Sequence, residues 1–254
     1  MPKISVGRSE EDKEEHGLDG TGMIGKHLVG ENEEAHKANP VYFDVAKPHV
    51  VGVFGKRGTG KSYSMGTVAE EIHTADISEN LSTIIIDPMG IYWSMRRPNE
   101  QDVSILDRWD MKPKGFDVDV YIPKGKTKEF DEKEMPYDDT FTLNPAELTA
   151  EEWRMAFALE EDSEQNILLE RVVGELDDEF GDQYRIEHIL KAVNSFDFDE
   201  KTVKALENRF RNAQDWGIFG EESSLDKLTE REELSVVDVP VYGQMTGGKR
   251  VQYL

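Results

Sequence analysis

The chain of 254 residues contains no cysteine. Disulfides, thiolate metal sites and cysteine nucleophiles are therefore excluded. Long apolar runs are also missing, and no stretch approaches the roughly 20 residues that a membrane helix needs. No membrane partner is expected. The N-terminus, "MPKISVGRSEEDKEEHG", has no apolar core and does not read as a signal peptide, so a cytoplasmic location is expected. Cations are scarce: 30 Lys and Arg stand against 53 Asp and Glu, for a net charge of −23. Such a surface repels polyanions. It weighs against a general nucleic-acid coat and leaves only a local basic channel for DNA. Acidity of this kind also suits a high-salt cytoplasm, although lysine still outnumbers arginine. The six histidines, at 16, 27, 36, 49, 73 and 188, show no metal-ligand spacing.

What is present is enough for one large α/β domain with a small appendage, since 37% of the residues are hydrophobic. Residues 1–22 are polar and charged and are expected to be a disordered arm. Residues 23–48 hold two short apolar pieces and are expected to form a short β appendage. "HVVGVF" (49–54) is continuous and β-branched, the pattern of a buried strand. "SYSMGTVAEEIHTA" follows with Met65, Val68, Ala69 and Ile72 at helical spacing. "STIIIDP" (82–88) is a second buried strand, stopped by Pro88. Strand, glycine turn, helix and strand make a βαβ unit with a parallel sheet. "FDVDVYIP" (116–123) is a third strand.

The α/β core is expected over 49–143 and a helical insertion over 144–220. "TAEEWRMAFALEE", "SEQNILLERVVGELDDEF", "YRIEHILKAV" and "DEKTVKALENRFRNAQDWGIF" read as four helices. Thr149 and Ser163 are candidate caps for the first two. Residues 221–254 return to the core, with "ELSVVDVPVYG" as a strand. The tryptophans at 93, 109, 153 and 216 read as core or interface anchors. Lys112, Lys114, Lys124, Lys126 and Lys128 form the lysine-dense stretch, read as a solvated hairpin edge with a pore-facing DNA contact as the alternative.

The chemistry sits in "GKRGTGKS", residues 55–62. It meets the pattern G-x-x-x-x-G-K-[ST] between a strand and a helix. A loop that wraps phosphates must turn successive backbone N–H groups inward and approach the anion closely. Gly55, Gly58 and Gly60 permit this. The helix that begins near Gly60 aims its positive end at the anion. Lys61 supplies a cation for the β- and γ-phosphates, and Ser62 a hydroxyl for Mg²⁺. Gly55, Gly58, Thr59, Gly60, Lys61, Ser62 and Tyr63 are the expected ATP-binding residues. Asp87, ending "TIIID", is the candidate carboxylate for catalysis beside Lys61 and for the metal beside Ser62. The bland alternative is an Asp that starts the turn at Pro88. Asp238 is a weaker candidate for the same role.

With "IIIDPMGIYWSM" and "TLNPAELTAEEW" added to this loop, the chain resembles the HerA/FtsK superfamily of ring ATPases, archaeal HerA-like proteins in particular. The resemblance spans roughly residues 23–254. It implies a RecA-like P-loop core with a mostly parallel sheet, an inserted helical subdomain after Asn144-Pro145, and a short N-terminal β appendage. It implies ATP and Mg²⁺ as cofactors, with Lys61, Ser62 and Asp87 carried over. It also implies a hexameric ring on double-stranded DNA, and a NurA-like nuclease as partner. The family element reading Asp-Pro-x-Gly-Glu-Tyr here has Ile91 in place of the Glu. In the family, the Asp-Glu strand and the arginine finger lie beyond a segment like "SVVDVPVYG", so the chain reads as the front part of a larger ATPase. Two functions compete. One is the ATP-binding part of a DNA translocase, enzymatic if that strand is supplied by further sequence or a partner. The other is a nucleotide-dependent scaffold that hydrolyses ATP poorly. A small-molecule kinase shares the P-loop but fits neither the Asp-Pro-x-Gly element nor the helical insertion.

Overall fold

A computed structural model describes residues 3–30, 36–229 and 233–239. The described chain is α/β and divides into two compact units. The first comprises Met1–Ile85, Ser94–Val118 and Leu228–Ser235, and the second Ile86–Trp93, Asp119–Lys227 and Val236–Leu254.

In the first unit a three-stranded sheet has the order β1-β3-β2, from β1 (Ile4–Val6), β2 (Thr21–Val29) and β3 (His36–Asp44). β1 runs parallel to β3, and β2 antiparallel to it with irregularities between Met23 and Gly25 and between Lys26 and Leu28. Residues 3–22 thus differ from the disordered arm expected over 1–22. They contribute β1 and a helix, α1 (Glu10–His16), whose Ser9 side chain accepts from the Asp12 N–H. Long-range bonds outweigh their polarity. The buried Arg8 guanidinium donates to Gly17 O, to Asp19 O and, at 2.7 Å, to Asp44 Oδ1. Burial pushes the Asp44 carboxyl up, but Arg8, His49 and the Ala46 N–H outweigh it and hold the group below its ordinary value.

The β appendage expected over 23–48 is present as β2 and β3, completed by β1 from outside that range. The buried strand expected over 49–54 is not. These residues form no strand, and Val50 and Phe54 are fully exposed. A strand exists through its neighbours, and among the described residues none pairs with this segment. The P-loop helix, α2 (Lys61–Thr74), forms as expected, and α3 (Val103–Asp107) is a short helix farther on.

A four-stranded sheet has the order β4-β7-β5-β6, from β4 (Thr83–Asp87), β5 (Asp119–Pro123), β6 (Asp139–Phe141) and β7 (Leu234–Asp238). β5 and β6 are parallel. β4 and β7 ascend together, with Thr83 N donating to Glu233 O and Val239 N to Asp87 O. β7 is buried throughout. Among the described residues β4 is an edge strand, and it alternates: Ile84 and Ile86 are exposed, while Ile85 and Asp87 are buried. That corrects the fully buried strand read from its apolar run. Parallel strands need a crossover, and α4 (Thr127–Glu132) supplies it between β5 and β6. Lys124 and Lys126 therefore lie in a 3-10 turn and Lys128 in α4, instead of on a hairpin edge.

The second unit's core is helical: α5 (Ala150–Phe157), α6 (Glu164–Phe180), α7 (Ile186–Val193) and α8 (Glu200–Gln214). Thr149 caps α5 in a capping box with Glu152, and Ser163 caps α6 through the Asn166 N–H, as the sequence suggests. Leu168, Leu169, Val172, Val173 and Leu176 line the inner face of α6. Trp153 packs against Phe157, Phe210 and Phe219 with ring centroids 4.9–5.3 Å apart, and Trp216 completes this aromatic core. Two of the four tryptophans are thus core anchors.

Candidate active site

The glycine loop lies in the first unit. Each motif glycine has its own structural reason. A Cβ on Gly55 would collide with Thr59 Oγ1. Gly58 and Gly60 have φ of 82° and 85°, the left-handed region that other residues avoid. Gly60 is the N-cap of α2, and no side chain caps the helix there. An uncapped helix start carries partial positive charge and suits an anion.

The loop closes on one carbonyl. Lys56 O accepts from Thr59 Oγ1 at 2.8 Å, from Thr59 N at 3.3 Å and from Lys61 Nζ at 2.9 Å. Lys61 is thus folded back onto its own loop, with its ammonium held where the turn is tightest. Ser62 follows on the first turn of α2, and the Tyr63 side chain is exposed. The structure brings residues 55–63 together as one turn and helix start. These residues fit a phosphate chain: glycines without side chains, a helix start that no side chain caps, and the Lys61 ammonium on the same loop.

Asp87 and Asp238 lie in the second unit, buried at the ends of β4 and β7. Asp87 is fully engaged. Its Oδ1 accepts from Met89 N and Gly90 N, and its Oδ2 from Ile91 N and Tyr92 N, at 2.6–3.0 Å. The carboxylate therefore holds the turn from β4 into the 3-10 helix Tyr92–Arg96. This is the turn role that Asp-Pro suggests, carried further by four donors. Asp238 is the opposite case. Neither of its oxygens has a hydrogen-bond partner among the described residues. Burial, and then the charge of Asp87, push its carboxyl up to about 7.

The family model described as "Helicase HerA, central domain" matches residues 23–242. The chain belongs to this family. It is thereby a HerA/FtsK-type P-loop ATPase domain, and its α/β sheet agrees with a RecA-like P-loop core. A comparison with curated proteins finds no match. Within this HerA-family domain the glycine loop and Asp87 were legible from motif and strand end. The isolation of Asp238 was not, because it depends on which strands pair. No helix among the described residues is long and apolar enough to cross a membrane.

Proposed function

We propose that this domain binds ATP with Mg²⁺ through Gly55–Tyr63 and belongs to a ring ATPase that moves on double-stranded DNA. The observation that carries the reading is the loop: two glycines at positive φ, a third with no room for a Cβ, and an uncapped helix start. In it, the backbone N–H groups would hold the phosphates, the Lys61 ammonium would serve the β- and γ-phosphates, and the Ser62 hydroxyl would be a ligand for Mg²⁺. When bound, the nucleotide supplies a γ-phosphoryl group for transfer to water, with the metal neutralising its charge. Family likeness supports a hexamer and a NurA-like nuclease partner, and location in the cytoplasm. With a net charge of −23, DNA contact falls to a few cations facing a pore. The test is duplex binding across a salt series. Weak binding by the monomer, and stronger, steeply salt-dependent binding by an assembled ring, is expected. Tight, salt-insensitive binding by the monomer contradicts the ring account.

A second reading is a nucleotide-dependent scaffold that hydrolyses ATP slowly, and the bonding of Asp87 favours it for this chain alone. A carboxylate already holding four N–H groups has little left for water or metal. A transition-state cation supplied by a neighbouring subunit would be worth about 10³–10⁵ in rate. A turnover near ~1 s⁻¹ in the monomer, the low end for phosphoryl-transfer enzymes, removes this reading if Lys61→Ala abolishes it.

A further inference from the structure

We propose that Glu71 is a positioning residue for the P-loop, acting through the backbone of β2. The inference rests on the nucleotide reading above and extends it to a contact distant from the phosphates. α2 is one helix whose first residue is Lys61 and whose later turns carry Glu71. Ten residues of helix separate the two by about 15 Å. At that end the helix is fastened to β2. Glu71 Oε2 accepts from the Met23 N–H at 2.7 Å. Beyond the helix, Asp76 Oδ1 accepts from the Gly20 N–H at 2.8 Å.

The fit leaves no slack. A Cβ on Gly22 would lie 2.7 Å from Glu71 Cβ and 3.5 Å from the Glu71 carbonyl. These are atoms fixed to the helix backbone, so they cannot swing aside. Gly22 therefore lets β2 approach α2 closely enough for the bond to Met23 to form. β2 is itself paired with β3, and Thr21, Gly22 and Met23 lie opposite Asp44, Phe43 and Tyr42, before the irregularity that follows Met23. A helix so fastened cannot slide or rotate without breaking the bonds at residues 20 and 23. The start of α2, and with it the cradle of Gly58, Gly60 and Lys61, is set by the N-terminal sheet. Coupling of this kind is reciprocal: whatever moves β2 changes nucleotide affinity, and nucleotide is felt at β2.

The experiment compares ATP·Mg²⁺ affinity in the wild-type chain, Lys61→Ala, Glu71→Ala, Glu71→Gln and Gly22→Ala, well below each variant's Tm. A contribution to stability alone leaves affinity unchanged there, because the protein is still folded. The amide resonance of Met23 is followed in parallel. Glu71→Ala and Gly22→Ala are expected to weaken binding about five-fold or more, within the usual range of coupling. Glu71→Gln keeps an acceptor and should stay within about two-fold of wild type, well inside that coupling range. ATP should shift the Met23 amide in wild type and in Glu71→Gln. Should Glu71→Ala fail to fold, Glu71→Asp, too short to reach Met23, takes its place. Wild-type affinity in the Glu71→Ala and Gly22→Ala variants, with binding lost in Lys61→Ala, overturns the positioning role and leaves the nucleotide reading intact. So does a Glu71→Gln variant as weak as Glu71→Ala. A wild-type chain that binds no ATP removes the nucleotide reading itself, and this inference with it.

Discussion

Asp87 and Asp238 end neighbouring strands with their carboxyls buried near one another, yet Asp87 accepts four backbone N–H bonds and Asp238 none among the described residues. Two like charges in one buried place do not both ionise easily. Asp87 is supplied with donors and Asp238 is not, and Asp238 keeps its proton up to about pH 7, through burial first and the Asp87 charge second.

A pH dependence follows. Between about pH 4 and 7 the folded protein holds a proton on Asp238 that the unfolded chain has released. Stability from this group is therefore greatest at acid pH, falls as pH rises through that window, and levels off above about 7. The total is on the order of 4 kcal/mol. Asp238→Asn removes the dependence. Urea unfolding from pH 4.5 to 8 should show wild type losing stability relative to the variant as pH rises. Parallel curves contradict the assignment.

Asp87→Ala strips four N–H groups of their acceptor, that of Tyr92 buried and the other three partly buried, and should destabilise by about 3 kcal/mol. Asp87→Asn removes the charge, so Asp238 should titrate lower, yet still above an ordinary aspartate because burial is the larger cause. Carboxyl carbon NMR reads this directly. An Asp238 that does not move in Asp87→Asn breaks the link between the pair.

Arg8 and Asp44 test the N-terminal segment. Both side chains are almost wholly buried, and the pair joins residues 36 apart in sequence. Arg8→Ala leaves Asp44 buried without its main partner and should cost about 3–5 kcal/mol. Because the Asp44 carboxyl is held below its ordinary value, its stabilisation is present above about pH 4 and fades as pH falls through the lowered value. In Arg8→Ala that acid-side loss should shrink. An unfolding midpoint unchanged by Arg8→Ala would show that the segment is not fastened here.

These residues also mark what was legible in the chain. Caps and the glycine loop are local chemistry, so Thr149, Ser163, Gly58 and Gly60 could be read from spacing alone. β4 and β7 followed from short apolar runs, and β5 from the alternation of apolar and polar residues. Residues 49–54 could not be placed, because an apolar run becomes a strand only when another strand takes its edge. The order in residues 3–16 was missed because Arg8 meets its carboxylate on β3. The signal that was present is Ser9 with Asp12 three residues on, a helix start. Glu71 and Met23 lie 48 residues apart, and no local pattern announces their bond.

The loop itself decides the central claim. Lys61 contributes one exposed hydrogen bond to the unliganded fold, to Lys56 O, so its loss should leave the structure standing. Calorimetric titration of ATP·Mg²⁺ into wild type and Lys61→Ala is the direct measurement. Saturable binding by wild type is expected, with affinity at least about ten-fold lower in the variant, equivalent to about 1.4 kcal/mol. Equal affinity in the two proteins, or no binding by a folded wild type, contradicts the account.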